Sequence, residues 1–238
     1  MPEEDHATAD LGGQAGTLHE LLSEARALGF LGPGPVETQL DHTRAFADAV
    51  ETAMAAGLDG ATSAGPRAPR AVVDLGAGGG VPGLVLAVRW PSSFLLVEAQ
   101  ARRAAFLVRA VSELGLGERV VVGAERAEAV GRTPARRGAF DLVTARGFGR
   151  PAVVAECAAP LLEVGGLLVV SEPPADVSRE NARWPVAGLV ELGMGRPNPV
   201  SRDLGAGPGY RFVAVPQLRR CPDRFPRRVG VPAKRPLF

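Results

Sequence analysis

A cluster of glycines between Gly76 and Gly83 carries the clearest chemical signal in this 238-residue chain. A short β-branched run precedes the cluster and ends at the acidic residue Asp74, and an apolar segment, residues 84–88, follows it. This order predicts a strand, a tight turn and the start of a helix. Because glycine has no Cβ, such a turn brings backbone N–H groups and a helix N-terminus close to a ligand. We therefore predict a binding site for a nucleotide-like ligand here.

The spacing of these glycines fits two kinds of ligand. Gly76-x-Gly78-x-Gly80 is common in S-adenosylmethionine-dependent methyltransferases, whereas Gly78-x-Gly80-x-x-Gly83 is the spacing of dinucleotide-binding proteins. Glu98 ends the next predicted strand, where an acid can bond the ribose hydroxyls of either cofactor. A purely structural turn is disfavoured, because so many glycines cost backbone entropy without helping packing.

Three features favour adenosylmethionine over a dinucleotide. Asp74 directly precedes the turn, Phe140-Asp141 opens a later predicted strand, and Gly165-Gly166 precedes another. All three are usual in such methyltransferases, and so is a terminal hairpin. A chain of 238 residues also leaves no room for a separate substrate domain after a dinucleotide fold.

Strands and helices alternate through the main part of the chain. This alternation predicts βαβ units, a parallel sheet and a doubly wound, Rossmann-like α/β fold. The runs 186–192 and 210–215 are instead predicted to form an antiparallel hairpin at the sheet edge. The predicted strands are 71–75, 94–98, 119–123, 140–145 and 167–171, and the predicted helices are 81–89, 101–114, 125–130 and 151–162.

The two ends of the chain differ from this α/β region. Thr17 opens a capping-box pattern and an apolar helical stripe that ends at Gly29, and a second helix is predicted over residues 36–56. The basic, proline-spaced end is predicted to be too polar for the core. The predicted parts are a disordered N-terminus (1–16), a small helical segment with its linker (17–69), the main domain (70–217) and a basic tail (218–238).

Composition excludes several classes of protein. The formal net charge is only +1, and no apolar run reaches the roughly 18 residues of a membrane span. The first residues contain no apolar signal core, so we predict a cytoplasmic protein without a membrane partner. Cys157 and Cys221 lie far apart, which disfavours structural zinc and a disulfide framework. We predict no metal site.

At these motifs the chain resembles the RsmG family, also called glucose-inhibited division protein B. Members of that family methylate guanine N7 in small-subunit ribosomal RNA. The resemblance runs from about Leu28 onward, and its most specific part is Val81-Pro82-Gly83 after the glycines. Further matching motifs are Phe30-Leu31-Gly32-Pro33, Asp41-His42, Val97-Glu98, Arg126-Ala127-Glu128, Phe140 to Arg146, Pro160-Leu161-Leu162, Gly165-Gly166 and the tail from Phe225 to Leu237.

The resemblance implies a class I methyltransferase fold with S-adenosylmethionine as its cofactor. No catalytic side chain is expected: guanine N7 has a lone pair and no proton, so the protein only has to hold N7 and the methyl group at near-attack distance. Arg146 follows a strand, at the carboxyl edge of the sheet where ligands of open α/β sheets lie. The implied cofactor residues are Gly76, Gly78, Val81, Ala127, Glu128 and Arg146, with Glu98 on the ribose.

The implied partner is 16S ribosomal RNA or the small ribosomal subunit, bound by a monomer. His42 is a candidate substrate contact, although a histidine that packs the helical segment onto the sheet explains it equally well. The basic tail is either an RNA phosphate track or a solvated charge run. Its candidate substrate residues are Arg227, Arg228, Lys234 and Arg235.

Two departures from the family pattern concern the methyl acceptor. Ser171-Glu172 stands where the family carries a Lys-Gly pair, and an Asn-rich motif is missing from the N-terminal helices. A glutamate in place of a lysine should weaken RNA binding at that point. Two alternatives therefore stay open, namely a small-molecule methyltransferase and a non-catalytic adenosylmethionine-binding relative.

Overall fold

A seven-stranded sheet forms the centre of the computed structural model, which describes residues 5–57, 68–173, 183–202 and 209–238. The strands are β1 (Ala71–Leu75), β2 (Ser93–Val97), β3 (Val120–Gly123), β4 (Phe140–Ala145), β5 (Leu162–Glu172), β6 (Asn198–Arg202) and β7 (Tyr210–Pro216). Their order is β3-β2-β1-β4-β5-β7-β6. The first five strands run parallel, and β7 is antiparallel to β5 and β6. The predicted doubly wound α/β fold is confirmed.

Helices cover both faces of this sheet. They are α1 (Asp5–Ala27), α2 (Val36–Ala55), α3 (Gly83–Arg89), α4 (Ala101–Glu113), α5 (Ala127–Arg132), α6 (Pro151–Ala158), α7 (Val186–Glu191) and α8 (Val231–Lys234). A short 3₁₀ turn, Pro134–Arg136, follows α5. Within the described part of the chain, none of these helices combines the length and apolar character that a membrane span needs.

The central strands are apolar on both sides because both faces are covered. Val72 and Leu142 belong to the core under α1–α4, whereas their neighbours Val73 and Val143 belong to the core under α5–α7. Register places Val72 beside Leu142 and Val73 beside Val143. Continuous apolar runs of this kind are expected of buried parallel strands, and for this reason the strands could be predicted from the sequence.

The N-terminal helices differ from expectation in one respect. α1 begins at Asp5, so the predicted disorder of residues 1–16 is wrong from Asp5 onward, while residues 1–4 lie outside the described part. The side chain of Gln14 donates to the Leu114 carbonyl at 3.3 Å, which ties this extension to the end of α4. A tertiary contact of that kind leaves no mark on local sequence periodicity. α2 confirms the second predicted helix, and most of the predicted linker (58–67) lies outside the described residues.

The terminal hairpin exists, but with a different first strand. β6 and β7 form it, whereas the run predicted as a strand, 186–192, is the helix α7. Pro185 precedes α7, and Leu189 and Leu192 are buried three residues apart, as on one helix face. Short apolar runs fit either structure, because periodicity does not separate them over so few residues.

The basic tail packs against α5 and α6, so the expectation that it is too polar for the core is wrong. Cys221 and Phe225 are buried in it. Arg137 donates to the carbonyls of Gly131 and Phe225 at 2.9 and 2.7 Å, and Arg132 donates to the Pro226 carbonyl at 3.0 Å. These arginines satisfy tail carbonyls that would otherwise lose their hydrogen bonds on docking.

Candidate active site

A buried carboxylate holds the glycine loop between β1 and α3. Asp74 Oδ2 accepts a hydrogen bond from the Gly83 amide at 3.0 Å, and its Oδ1 accepts one from Thr144 Oγ1 at 2.8 Å. A Cβ at Gly83 would lie 2.5 Å from Asp74 Oδ2, so this close approach requires glycine. Asp74 therefore fixes the start of α3.

The end of β2 supplies the second support of the loop. The amides of Gly76 and Ala77 both donate to the Val97 carbonyl, at 2.9 and 3.0 Å. The next residue, Glu98, is buried; its Oε2 accepts from the Gly78 amide at 3.0 Å and its Oε1 from the Gln100 amide at 2.7 Å. A carboxylate has about four acceptor positions, so Glu98 keeps capacity for further donors.

A cleft of about 260 Å³ opens beside Glu98 at the carboxyl edge of the sheet; we call it the first cleft. Gly76 lies in it with a φ of 72°, and a Cβ there would come within 2.7 Å of Phe148 Cδ2. Glycine is thus required both by the backbone angle and by the ring above it. The lining residues are Gly76, Val97, Glu98, Ala99, Gln100, Arg103, Glu125, Arg126, Ala127, Gly147 and Phe148.

A larger cleft of about 520 Å³, the second cleft, lies next to the first and shares Gly147 and Phe148 with it. It lies over the ends of β4 and β5, beside the strand-order reversal where ligands of open α/β sheets bind. Its other lining residues are His42, Arg146, Gly149, Pro151, Val154, Val170, Ser171, Glu172, Pro173, Arg183, Trp184, Gly209, Tyr210 and Arg211.

Arg146 and His42 form one wall of the second cleft. Arg146 Nη2 donates to Gln39 Oε1 at 2.6 Å, and His42 Nε2 lies 2.9 Å from Ser171 Oγ. The imidazole also packs edge-to-face on Tyr210, with ring centroids 4.8 Å apart. Burial, assisted by the positive charge of Arg146, lowers the pKa of His42 to about 4. The ring is therefore neutral at pH 7.

Comparison with known proteins shows the family of this chain. The family model described as rRNA small subunit methyltransferase G (GidB) matches residues 37–184. The chain belongs to this family. A protein named ribosomal RNA small subunit methyltransferase G, from Prochlorococcus marinus (strain MIT 9313), is 39% identical over 176 residues, covering 71% of this chain and 68% of the relative. The protein of that name from Moorella thermoacetica is 37% identical over 170 residues, covering 70% and 69%.

Solved structures support the fold of this GidB-family chain. A SAM-dependent O-methyltransferase from Thermotoga maritima superposes with a TM-score of 0.52 and 16% identity, covering 84% of this chain and 72% of that one. A cofactor-bound protein from MTB gives a TM-score of 0.55 and 18% identity, covering 86% and 90%. At such identities the likeness concerns the fold alone, and it confirms the predicted methyltransferase-type sheet.

The structure brings together part of the cofactor set that the family resemblance implied. Gly76, Glu98 and Ala127 line the first cleft. Gly78 contributes through its amide, which fixes one oxygen of Glu98. Arg146 lines the second cleft instead, and its contact with the cofactor stays a prediction.

Two further residues of that set have other contacts. Val81 is buried in the core on the face covered by α1–α4. Glu128 Oε1 accepts a hydrogen bond from the Gly230 amide at 2.9 Å, so its side chain anchors the tail. The cofactor contacts predicted for Val81 and Glu128 therefore rest on the backbone of both residues, and they stay predictions.

The basic tail residues separate into two kinds. Arg227 donates from Nε and Nη2 to the fully buried carboxylate of Glu156 at 2.8 and 2.6 Å. An internal ion pair therefore holds this guanidinium, and a contact of Arg227 with RNA stays an untested prediction. Arg228, Lys234 and Arg235 are exposed and remain predicted RNA contacts.

Glu172, which replaces the family's lysine, is buried and paired. Its Oε1 accepts from Trp184 Nε1 at 3.0 Å, and its Oε2 lies 2.9 Å from Arg183 Nε. Because Arg183 balances its charge, the electrostatic argument that Glu172 weakens RNA binding loses most of its force.

Several cleft residues escaped the sequence analysis. Phe148 could have been found, since it closely follows the carboxyl end of β4. Tyr210 and Trp184 had no comparable signal. They reach the second cleft only because the hairpin and α7 fold back against the parallel sheet.

Asp74 makes a testable contribution to pH dependence. Burial raises its pKa to about 6, partly offset by the hydrogen bond from Thr144. A folded-state pKa above the unfolded value means that stability is present below about pH 4 and is lost as the pH rises through 6. In the Asp74→Asn variant, the side-chain amide could still pair with Gly83 and Thr144. We expect the free energy of unfolding of this variant to gain about 2 kcal/mol on the wild type between pH 4 and pH 7.

Urea unfolding of both proteins across this range measures that difference. His42 has a lowered pKa and therefore changes stability with pH in the opposite direction. Its effect is the same in both proteins, so it cancels in the difference between them. Parallel curves for wild type and Asp74→Asn would show that the carboxyl does not titrate in this window.

Proposed function

We propose that this chain is an S-adenosylmethionine-dependent methyltransferase that methylates guanine N7 in 16S ribosomal RNA. The observation that carries the proposal is the pair of adjoining clefts at the carboxyl edge, most of whose lining residues belong to the region that the family model matches. One cleft fits a nucleoside cofactor, and its neighbour fits a nucleobase. Residues 70–217 are the catalytic domain, which acts as a monomer in the cytoplasm.

The residues of the first cleft fit the cofactor. Gly76 lines this cleft and offers a backbone without a Cβ beneath Phe148. Glu98 has both oxygens oriented by backbone amides, with acceptor capacity left for the two ribose hydroxyls. Ala127 leaves room for a flat base on the far side. When bound, adenosylmethionine supplies an electrophilic methyl group on its sulfonium.

The protein's part in the reaction is positioning. Guanine N7 has an in-plane lone pair and no proton, so the step needs no general base. The wall shared by the two clefts, Gly147 and Phe148, is where an acceptor atom can meet the methyl group. Holding the two groups at near-attack distance in a site shielded from water supplies the rate enhancement.

The small-molecule alternative has lost its motivation. It rested on the charge of Glu172, which Arg183 balances, and on the short N-terminal segment. That segment nevertheless completes the second cleft through His42. The ribosomal substrate is therefore the better-supported proposal.

Mass spectrometry of nucleosides tests this function directly. Small-subunit RNA from a strain lacking the gene should lose 7-methylguanosine, and purified protein with adenosylmethionine should restore it. Large-subunit RNA from the same cells is the control and should not change. If purified protein methylates neither isolated small subunits nor their free RNA, the proposed activity is wrong.

A further inference from the structure

Glu172 lines the second cleft although its carboxylate already forms an ion pair inside the protein. It is the last residue of β5, lines the cleft and is only 8% exposed. Trp184 and Arg183 each hold one of its oxygens, at 3.0 and 2.9 Å. Trp184 Nε1 donates a hydrogen bond to Oε1, Arg183 forms an ion pair with Oε2, and a carboxylate accepts about four hydrogen bonds in all. Glu172 is thus an oriented acceptor with capacity to spare.

The order of the strands sets the distance of each polar group from the cofactor. The first cleft lies over β1 and β2, and β4 and β5 follow in that order on the side of β1 away from β2. Ala145 pairs with Val170, so Arg146 lies level with Ser171, which is still part of β5 and pairs with Phe212 of β7. Moving away from the first cleft along the strand order, the second cleft therefore has Arg146 and Phe148, which follow β4, before Glu172 at the end of β5.

The polar groups of guanine follow an order that matches these cleft residues. Around one side of the base run the acceptor N7, the acceptor O6, the donor N1–H and the donor amino group on C2. If N7 faces the wall shared with the first cleft, O6 comes next and the two donors lie furthest away. An arginine donates to O6, and a carboxylate accepts from both donors.

We propose that Glu172 selects guanine by accepting hydrogen bonds from N1–H and the 2-amino group, while Arg146 donates to O6. This inference rests on the proposed function and adds the groups that recognise the base. The second cleft, at about 520 Å³, falls within the range of small-ligand sites and is large enough for a flipped base. Phe148 and Tyr210 supply aromatic surface beside it.

The contact between Glu172 and the base would both distinguish guanine from adenine and raise the rate of methyl transfer. Adenine has an unprotonated N1 and no 2-amino group, so it would leave the buried Glu172 oxygens facing an acceptor. Methylation also makes guanine cationic, which strengthens its hydrogen bonds to a carboxylate as the transition state forms. An interaction that strengthens in this way raises kcat rather than only lowering KM.

Inosine is the matched probe, because it keeps N7, O6 and N1–H and lacks only the 2-amino group. Once the methylated position is mapped, small-subunit RNA is ligated with guanosine or inosine there, and kcat/KM is measured. We expect wild-type protein to favour guanosine by roughly 10- to 100-fold. Glu172→Gln should lose most of that preference and show a lower kcat on guanosine. Glu191→Gln, an exposed acid at the end of α7, should match the wild type.

The outcomes separate the two proposals. Absence of 7-methylguanosine formation by wild-type protein refutes the proposed function. Equal rates on guanosine and inosine by an active wild-type protein refute the role of Glu172 and leave the function intact, even if Glu172→Gln fails to fold. A folded Glu172→Gln variant that keeps the full preference for guanosine also overturns the inference.

Discussion

Replacing Glu98 by alanine is expected to raise the Kd for adenosylhomocysteine by about 100-fold or more. Glu98 accepts the amides of Gly78 and Gln100 at 3.0 and 2.7 Å and is the predicted acceptor for the ribose hydroxyls. Its loss removes the ribose contact and leaves two loop amides without their acceptor. Hydrogen bonds to a charged group contribute about 1.5–3 kcal/mol each, so the loss of two ribose contacts corresponds to a factor of about 100 or more. Isothermal titration calorimetry measures the change.

The control for this experiment is Glu118→Ala, an exposed acid before β3 that lies away from both clefts. It should bind adenosylhomocysteine like the wild type. Thermal unfolding of each variant without ligand separates loss of the site from loss of the fold. Wild-type affinity in a folded Glu98→Ala variant would contradict the ribose assignment.

Arg227→Ala is expected to destabilise the protein by about 3–5 kcal/mol. Glu156 on α6 is fully buried, and Arg227 reaches both of its oxygens, at 2.8 and 2.6 Å. The variant leaves a buried carboxylate with the Arg227 amide, at 2.8 Å, as its remaining partner from this pair. Removing one member of a buried ion pair costs this much because the other charge stays desolvated. Urea unfolding monitored by circular dichroism gives the value.

Arg228→Ala is the matched comparison, because the adjacent side chain is exposed. Its stability should stay within about 0.5 kcal/mol of the wild type. If the tail contacts RNA phosphates, Arg228→Ala should also reduce the salt dependence of RNA binding by about one counterion. A second variant, Arg227→Met with Glu156→Leu, should recover much of the stability. Equal stability of Arg227→Ala and the wild type would refute the structural role of the pair.

Much of the fold followed from local patterns. The apolar runs of β1 and β4 and the glycines after β1 fixed the parallel sheet and its ligand-binding turn. The prediction failed at 186–192, where a short apolar run became α7. It failed again at Asp5–Gly16, where helix was present without a local signal. In both places the outcome depends on packing against distant residues, which periodicity does not encode.

The sequence by itself determined the family, the glycine loop and the acid at the end of β2, because their chemistry lies in consecutive residues or in fixed spacings. Only the tertiary structure decided what the charged residues do. It paired Arg227 with Glu156 and left Arg228 exposed, although the two arginines are adjacent. The sequence analysis expected Glu172 to face RNA, whereas the structure buries it as a hydrogen-bond acceptor held by Trp184 and Arg183. A charge acts according to its partner and its burial, and both are set by residues far away along the chain.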